Sequence, residues 1–353
     1  MACCAPCSRS ASAPASKVRR CRASSARGAS LLEYIALVGL IAIVSLGSYR
    51  AFGETVRSKA ERQAQCVESL SGDCGGDAAG ESADALSDSG APKANPSLDG
   101  NDAAKGAKYK KVKGGKPFVE GDGDGRAIHP SDVSQGQLGD CYLLATLAEI
   151  AHVSPDFIKQ HVRQRKDGKY EVDFYEKRPW WKVWDDGKVT VVVKPEFPNK
   201  GGAWVFAQPG DSKKGQTETW AMVYEKAYAQ WKGKGVYNAI GQGGWPSDAM
   251  RELTGKDADH LATKDLSFET FTRNVNDGKL VEASTIGKEQ AKTDDLFKNG
   301  TLVSDHAYYV TAVDSKAQTV TVRNPWGWNN APVTLSWADF QRAFPHTYVG
   351  GLR

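Results

Sequence analysis

Cys141 stands at a junction that suits a nucleophile. Before it, Gln135-Gly-Gln-Leu-Gly-Asp140 is polar and broken by glycine, the composition of a loop or tight turn. After it, Leu143, Leu144, Leu147, Ala148 and Ile150 set apolar side chains among helix-favouring residues, the pattern of a buried helix. The junction predicts Cys141 in the first helical turn, facing unpaired backbone N–H groups and the positive end of the helix dipole. Both favour thiolate over thiol, and the thiolate is the nucleophile. Gln135, six residues earlier in the chain, is placed to offer a side-chain amide to an oxyanion beside the sulfur. Read alone, the same stretch also fits a buried helix with an inert cysteine, because free Cys is commonly buried.

A thiol nucleophile needs a base, and the base needs an orienter. Of the six histidines, His129, His152, His161, His260 and His346 fall in loops or helices with no partner signal. His306 opens the alternating run Ala307–Val313. The next alternating run, Thr319–Arg323, ends at Asn324-Pro-Trp326-Gly-Trp328. Pairing of these runs through residues 314–318 brings His306 and Asn324 to one end of a hairpin. Asn324 then accepts from the imidazole and holds the ring, Pro325 ends the ladder, and Trp326 covers the bond against water. A single strand histidine is more often structural than catalytic. The order Cys…His…Asn is what points to acyl transfer.

The elements that must position these residues divide the chain. Residues 1–28 form a basic leader: Arg9, Lys17, Arg19, Arg20, Arg22 and Arg27 with no acid, so the remainder of a chain with net charge +4 is slightly acidic. That charge is too small to argue for nucleic acid, and no basic patch with interleaved aromatics appears. Ala29 to Leu46 is apolar apart from Glu33 and near the short end for a membrane-spanning helix. A carboxylate in such a segment is costly and usually functional. The basic leader keeps its side of the membrane and the rest crosses, which puts the globular part outside the cytoplasm. Residues 66–116 are rich in Gly, Ala, Ser, Asp and Lys and read as a flexible linker. Gly121-Asp-Gly-Asp-Gly125 lacks the later ligands of an EF-hand loop and reads as its continuation.

Residues 117–353 form the globular domain. Its first part reads as helical from Cys141 to Arg165, with strand-like runs at Tyr170–Tyr175 and Lys188–Val193. Trp180, Trp181 and Trp184 read as packing residues. The run Thr219–Trp231 is an aromatic-rich amphipathic helix, and Ser247–Leu253 a short helix stopped near Gly255. The final third alternates like a sheet. A helical first half and a sheet-rich second half is an α+β architecture with two subdomains. Hydrophobic content of 40% is enough for such a core. Of seven cysteines, Cys3, Cys4, Cys7 and Cys21 fall in the leader, Cys66 and Cys74 can pair in an oxidising compartment, and Cys141 is left unpaired.

Two resemblances follow from these motifs. Gly28 before Ala29-Ser-Leu-Leu-Glu33-Tyr34 and an apolar helix resembles the start of a Flp-type type IV prepilin. This implies cleavage by a prepilin peptidase after Gly28, a mature chain beginning at Ala29, Glu33 at its fifth position, and residues 29–65 as a pilin-like transmembrane helix with its extension, able to meet pilus subunits. Gln135-Gly-x-Leu-Gly-Asp-Cys141, Glu225-Lys-Ala-Tyr-Ala, Leu253-Thr-Gly, His306-Ala-Tyr and Arg323-Asn-Pro-Trp-Gly resemble the calpain-type cysteine protease domain. This implies a papain-like two-lobe fold and an endopeptidase acting on protein substrates. Cys141 becomes the nucleophile, His306 the base and acid, Asn324 the orienter, Gln135 the oxyanion donor and Trp326 the shield. Tyr142 stands where the family has Trp, and Asp305 where it has Gly before the histidine. The resemblance also implies calcium. Asp132 matches a ligand of the first calcium site, whereas Trp328-Asn-Asn330 lacks the acid of the second. Competing readings are a minor pilin or surface binding protein with a non-proteolytic domain, and transglutaminase chemistry on the same fold.

Overall fold

The computed structural model describes residues 95–120, 126–177, 187–327 and 329–352. Its first α-helix, α1 (Cys141–Val153), is buried continuously from Tyr142 to Ala151. A helix apolar on every side must be covered on every side. One cover consists of α2 (Pro155–His161), α3 (Trp220–Trp231), α4 (Tyr237–Ile240) and α5 (Pro246–Thr254). Pro155, at the start of α2, follows α1 almost directly and stops it. Gly255, at φ +69°, closes α5 in the left-handed conformation. Short strands brace these helices: β1 (Lys108–Lys110), β2 (Gly115–Lys116), β3 (Val162–Gln164), β4 (Tyr170–Tyr175), β5 (Lys188–Val193), β6 (Phe197–Lys200), β7 (Ala203–Trp204), β8 (Ser212–Lys213) and β9 (Gln216–Glu218). They make three small sheets in the orders β1-β6-β7, β2-β9-β8 and β3-β4-β5.

The other cover of α1 is an antiparallel sheet of six strands: β10 (Asp259–Ala262), β11 (Leu280–Ser284), β12 (Ala307–Asp314), β13 (Thr319–Arg323), β14 (Val333–Ser336) and β15 (His346–Gly350), in the order β10-β15-β11-β12-β13-β14. Side chains alternate across it with period two. Leu280, Tyr309 and Tyr348 join the core around α1. Val281, Ala283, Tyr308, Val310, Val320 and Val322 point the other way. There they meet α6 (Phe268–Asn276) and α9 (Trp337–Ala343) through Phe271 and Phe340. Two short helices, α7 (Lys288–Ala291) and α8 (Asp295–Lys298), complete this half. The segregation of helices from the large sheet is the α+β arrangement expected, with α1 as the shared wall.

Three expectations need correction. The run from Cys141 does not stay helical to Arg165: α2 ends at His161 and β3 begins at Val162, paired with β4. The first half also carries far more strand than its composition suggests. Finally, the stretch 66–116, read as a flexible linker, enters the fold well before Pro117. β1 pairs antiparallel with β6 and β2 pairs parallel with β9. The buried Lys226 ammonium donates to Asn95 Oδ1 (2.7 Å) and to the carbonyls of Lys194 (2.9 Å) and Glu196 (2.6 Å). Residues 95–116 bring scattered apolar side chains to the core: Ala104 is buried in it, and Leu98, Tyr109 and Val112 pack against it. Backbone ladders to strands about a hundred positions away hold them.

The leader, Gly28, Ala29, Glu33, the apolar run to Leu46, Cys66, Cys74, residues 121–125, Trp180, Trp181, Trp184 and Trp328 lie outside the described residues. Among the described residues no helix is long and apolar enough to cross a membrane.

Candidate active site

The loop before α1 is shaped by close backbone approaches. A Cβ at Gly136 would lie 2.1 Å from the Phe206 carbonyl oxygen, and one at Gly139 would lie 2.4 Å from that of Gly241. Only glycine fits either position. The loop delivers Cys141 as the first residue of α1 and turns the Gln135 amide back over it. The orientation of that amide follows from its partners. The Trp326 indole N–H can only donate, so it takes Oε1 (3.1 Å). Gln135 Nε2 then donates to the Leu138 carbonyl (2.7 Å) and, at 3.4 Å, to Asp140 Oδ1.

β12 and β13 pair in the hairpin that the alternation predicts, with Tyr309 opposite Arg323. His306 and Asn324 therefore emerge side by side. His306 Nε2 lies 2.8 Å from Asn324 Oδ1, which also accepts the Trp326 backbone N–H at 3.2 Å. An oxygen that accepts from the backbone requires the ring to donate as well. This puts the imidazole proton on Nε2 and leaves Nδ1 with its lone pair. Trp326 and Tyr308 pack against the ring at centroid distances of 5.1 and 5.4 Å. His306 and Asn324 are buried although the indole itself is 42% exposed. The same turn latches the two halves together. Gln135 N–H donates to the Pro325 carbonyl (2.9 Å), and Ser134 bridges Trp326.

A cleft of about 950 Å³ lies between the halves. Gln135, Cys141, His306 and Trp326 line it, together with Gln242 and Gly243 beside the thiol's loop, where the Gly243 N–H donates to the Gly139 carbonyl (3.1 Å). Asn324 stands behind His306. No hydrogen bond joins Cys141 to His306. Burial pushes the thiol up to about 11; a backbone hydrogen bond from Ala307 opposes this, and the Asp140 charge adds to it. This corrects the thiolate expectation. The thiol does occupy the helix N-terminus, but desolvation and a neighbouring carboxylate outweigh the dipole. Burial also lowers the imidazole below its usual value, against its bond to Asn324. Both shifts favour a neutral thiol and a neutral ring over an ion pair. Asp305 turns away from the ring: its Oδ2 accepts the Lys288 N–H at 3.2 Å, at the start of α7.

Asp132 lies outside the cleft. Its Oδ2 accepts from the His129 N–H (2.6 Å) and the Trp220 indole (3.3 Å). Beside it stands Glu218, which the sequence reading missed because nothing in its spacing marks it. Burial first, then the Asp132 charge, pushes Glu218 up to about 10. Glu218 Oε1 accepts the Val119 N–H (3.0 Å), while Oε2 is buried without a hydrogen-bond partner among the described residues. Two buried carboxyl groups with an unsatisfied oxygen between them suit a hard divalent cation, so this pair fits calcium. Among the described residues no group of three or more His, Cys, Asp or Glu side chains is disposed to hold a metal. Further oxygen ligands would have to be carbonyls or water. At the expected second site, the Asn330 amide donates to the Trp326 carbonyl (3.1 Å).

A thiol, an amide-bound imidazole and a covering indole around one cleft are the parts of a cysteine hydrolase. Comparison with known proteins defines the class further. Residues 123–344 match the calpain family of cysteine proteases. Human calpain-9 is 29% identical over 228 residues, 59% of this chain and 30% of that protein. The calpain-2 catalytic subunit of Macaca fascicularis is 29% identical over 213 residues, 56% of this chain and 28% of that protein. The chain belongs to the calpain family of cysteine proteases and carries its protease domain. It spans less than a third of the length of these relatives.

Proposed function

We propose that the domain is a papain-like cysteine endopeptidase that hydrolyses peptide bonds of protein substrates through Cys141, His306 and Asn324. The supporting observation is the 2.8 Å bond from His306 to Asn324 Oδ1, which leaves the ring's other nitrogen as a base beside a cleft that also holds Cys141. With a peptide in the cleft, His306 Nδ1 takes the thiol proton as Sγ attacks the carbonyl carbon. The oxyanion forms against the Cys141 backbone N–H, which has no carbonyl partner at the helix start. Gln135 supplies a second donor by swinging the N–H that only the long contact to Asp140 holds. Imidazolium returns the proton to the departing amine as the C–N bond breaks. Water, deprotonated by the same ring, then opens the thioester and restores the thiol. Asn324 keeps the ring in one orientation throughout, and Trp326 keeps water from that bond.

Asp132 and Glu218 would hold calcium, whose charge would neutralise two buried acids in the half that carries the thiol. In the same reading, the segment beginning at Ala29 anchors the domain to a bacterial membrane with the cleft outside the cytoplasm, after a prepilin peptidase cuts behind Gly28. The prepilin-like register of Gly28 and Glu33 supports this.

The decisive experiment compares wild type with Cys141→Ala on casein. Cleavage is expected from the wild type and none from the variant, which keeps its fold. Equal cleavage by both ends the assignment. A thiol-reactive peptide warhead should label Cys141, whereas a purely binding domain would leave it unmodified. N-terminal sequencing of the mature protein should read Ala29 first; any other start removes the pilin reading.

A further inference from the structure

Asp140 occupies the N-cap position of α1, where an aspartate ordinarily accepts from its own helix. It makes no such bond. Its side chain is fully buried and turned inward. Oδ1 takes the Gln135 amide at 3.4 Å, and among the described residues Oδ2 meets no N–H or hydroxyl donor. What lies against it is the carboxyl group of Glu225, on α3, itself 2% exposed. Glu225 Oε1 accepts the Ala207 backbone N–H at 2.8 Å. Among the described residues no cation acts on either acid. The titratable groups around them are Cys141, Tyr142, Tyr109 and Tyr237, all neutral when protonated, and burial raises every one of them. Two buried carboxylates in contact cannot both stay ionised without a counter-charge. With one proton between them, the orphaned Oδ2 gains its hydrogen bond and the pair closes. Burial is also the leading cause that raises both acids.

We propose that Asp140 and Glu225 share one proton and act as positioning residues, fixing the loop that carries Gln135 so that its amide faces the oxyanion. The pair ties three segments together: the loop before the thiol, the chain at Ala207 and the buried helix α3. Gln135 is then held from both ends, by the Trp326 indole on its oxygen and by the Leu138 carbonyl on its nitrogen (2.7 Å), and the N–H resting 3.4 Å from Asp140 is the one that turns to the oxyanion. The proposal rests on the proteolytic reading for its kinetic consequence and on the geometry alone for the shared proton.

The test uses the full chain and separates these two. Infrared difference spectra between wild type and Glu225→Gln at neutral pH should contain the stretch of a protonated carboxylic acid, present only in the wild type. Its absence overturns the shared proton, whatever the activity. In peptide hydrolysis, Glu225→Ala should lower kcat with KM little changed, and Glu225→Gln, which supplies a permanent N–H in place of the shared proton, should restore it. Gln135→Ala should itself cost about 10²–10³ in kcat. Adding Glu225→Ala to Gln135→Ala should cost nothing more, because the residue acts through the amide. Fully multiplying losses, or a Glu225→Gln variant as impaired as Glu225→Ala, overturn the positioning role. A wild type that cleaves no peptide overturns the proteolytic reading instead, and the infrared result still stands.

Discussion

Burial sets the charge states in the cleft before any substrate arrives. The thiol is pushed up to about 11 and the imidazole is held below its usual value. A neutral pair works only while the ring is unprotonated. Activity should therefore rise with pH through the lowered value of His306. We expect the acid limb of kcat/KM, which reports the free enzyme, to have its midpoint below 6.5. A pH–rate profile measures this. A midpoint above 7 would mean that His306 is not held below its ordinary value and that its surroundings differ from those described. A thiolate–imidazolium pair at rest would show instead as a fall on the alkaline side, where the imidazolium loses its proton.

At the scale of elements, the turn before β12 shows how a substituted position is accommodated. Asp305 has φ +51°, the left-handed region where a side chain is strained and where the family places glycine. Aspartate is tolerated there better than most residues, and it returns a bond to the start of α7. A β-branched residue has neither advantage. Asp305→Val should destabilise the domain by about 1–2 kcal/mol, read as a lower midpoint in urea denaturation. It should also reduce activity, because the same turn aims His306. An unchanged midpoint would show that the turn relaxes freely. The hairpin itself was legible in the alternation of β12 and β13. The positive φ was not, because a turn's handedness depends on what its ends must join.

For the whole molecule, the notable feature is a set of buried acids around α1. Glu149 and Glu282 meet where α1 packs on β11, both raised by burial well above ordinary carboxylates. Among the described residues neither oxygen of Glu282 has a hydrogen-bond partner. The nearby Thr146 hydroxyl donates to the Tyr142 carbonyl instead (2.8 Å). A raised carboxyl binds its proton more tightly folded than unfolded, so its contribution to stability falls as pH rises above the ordinary value of 4.5. Glu282→Gln removes that loss. The variant should match wild type near pH 4 and become the more stable as pH increases, by at most about 1.4 kcal/mol per pH unit. Denaturation curves from pH 4 to 8 test this; a gap independent of pH refutes it. Calcium should act on a second pair of acids. It should raise the melting temperature of the wild type but not of Glu218→Gln, and equal shifts would rule out Asp132 and Glu218 as its site.

Local pattern carries a great deal here, because side-chain direction repeats along the chain with a period set by backbone geometry. The start of α1 at Cys141, the pairing of β12 with β13 and the meeting of His306 with Asn324 all follow from periodicity, glycine and a short loop. The place of residues 95–116 in the fold does not, nor do the pairs Asp132–Glu218, Asp140–Glu225 and Glu149–Glu282. Their partners lie far apart in the chain, and no repeat relates them. The protonation of Cys141 belongs with these. Its position in the helix was readable, but its proton affinity is decided by how much water the surrounding elements exclude, a sum over neighbours that only the folded chain assembles.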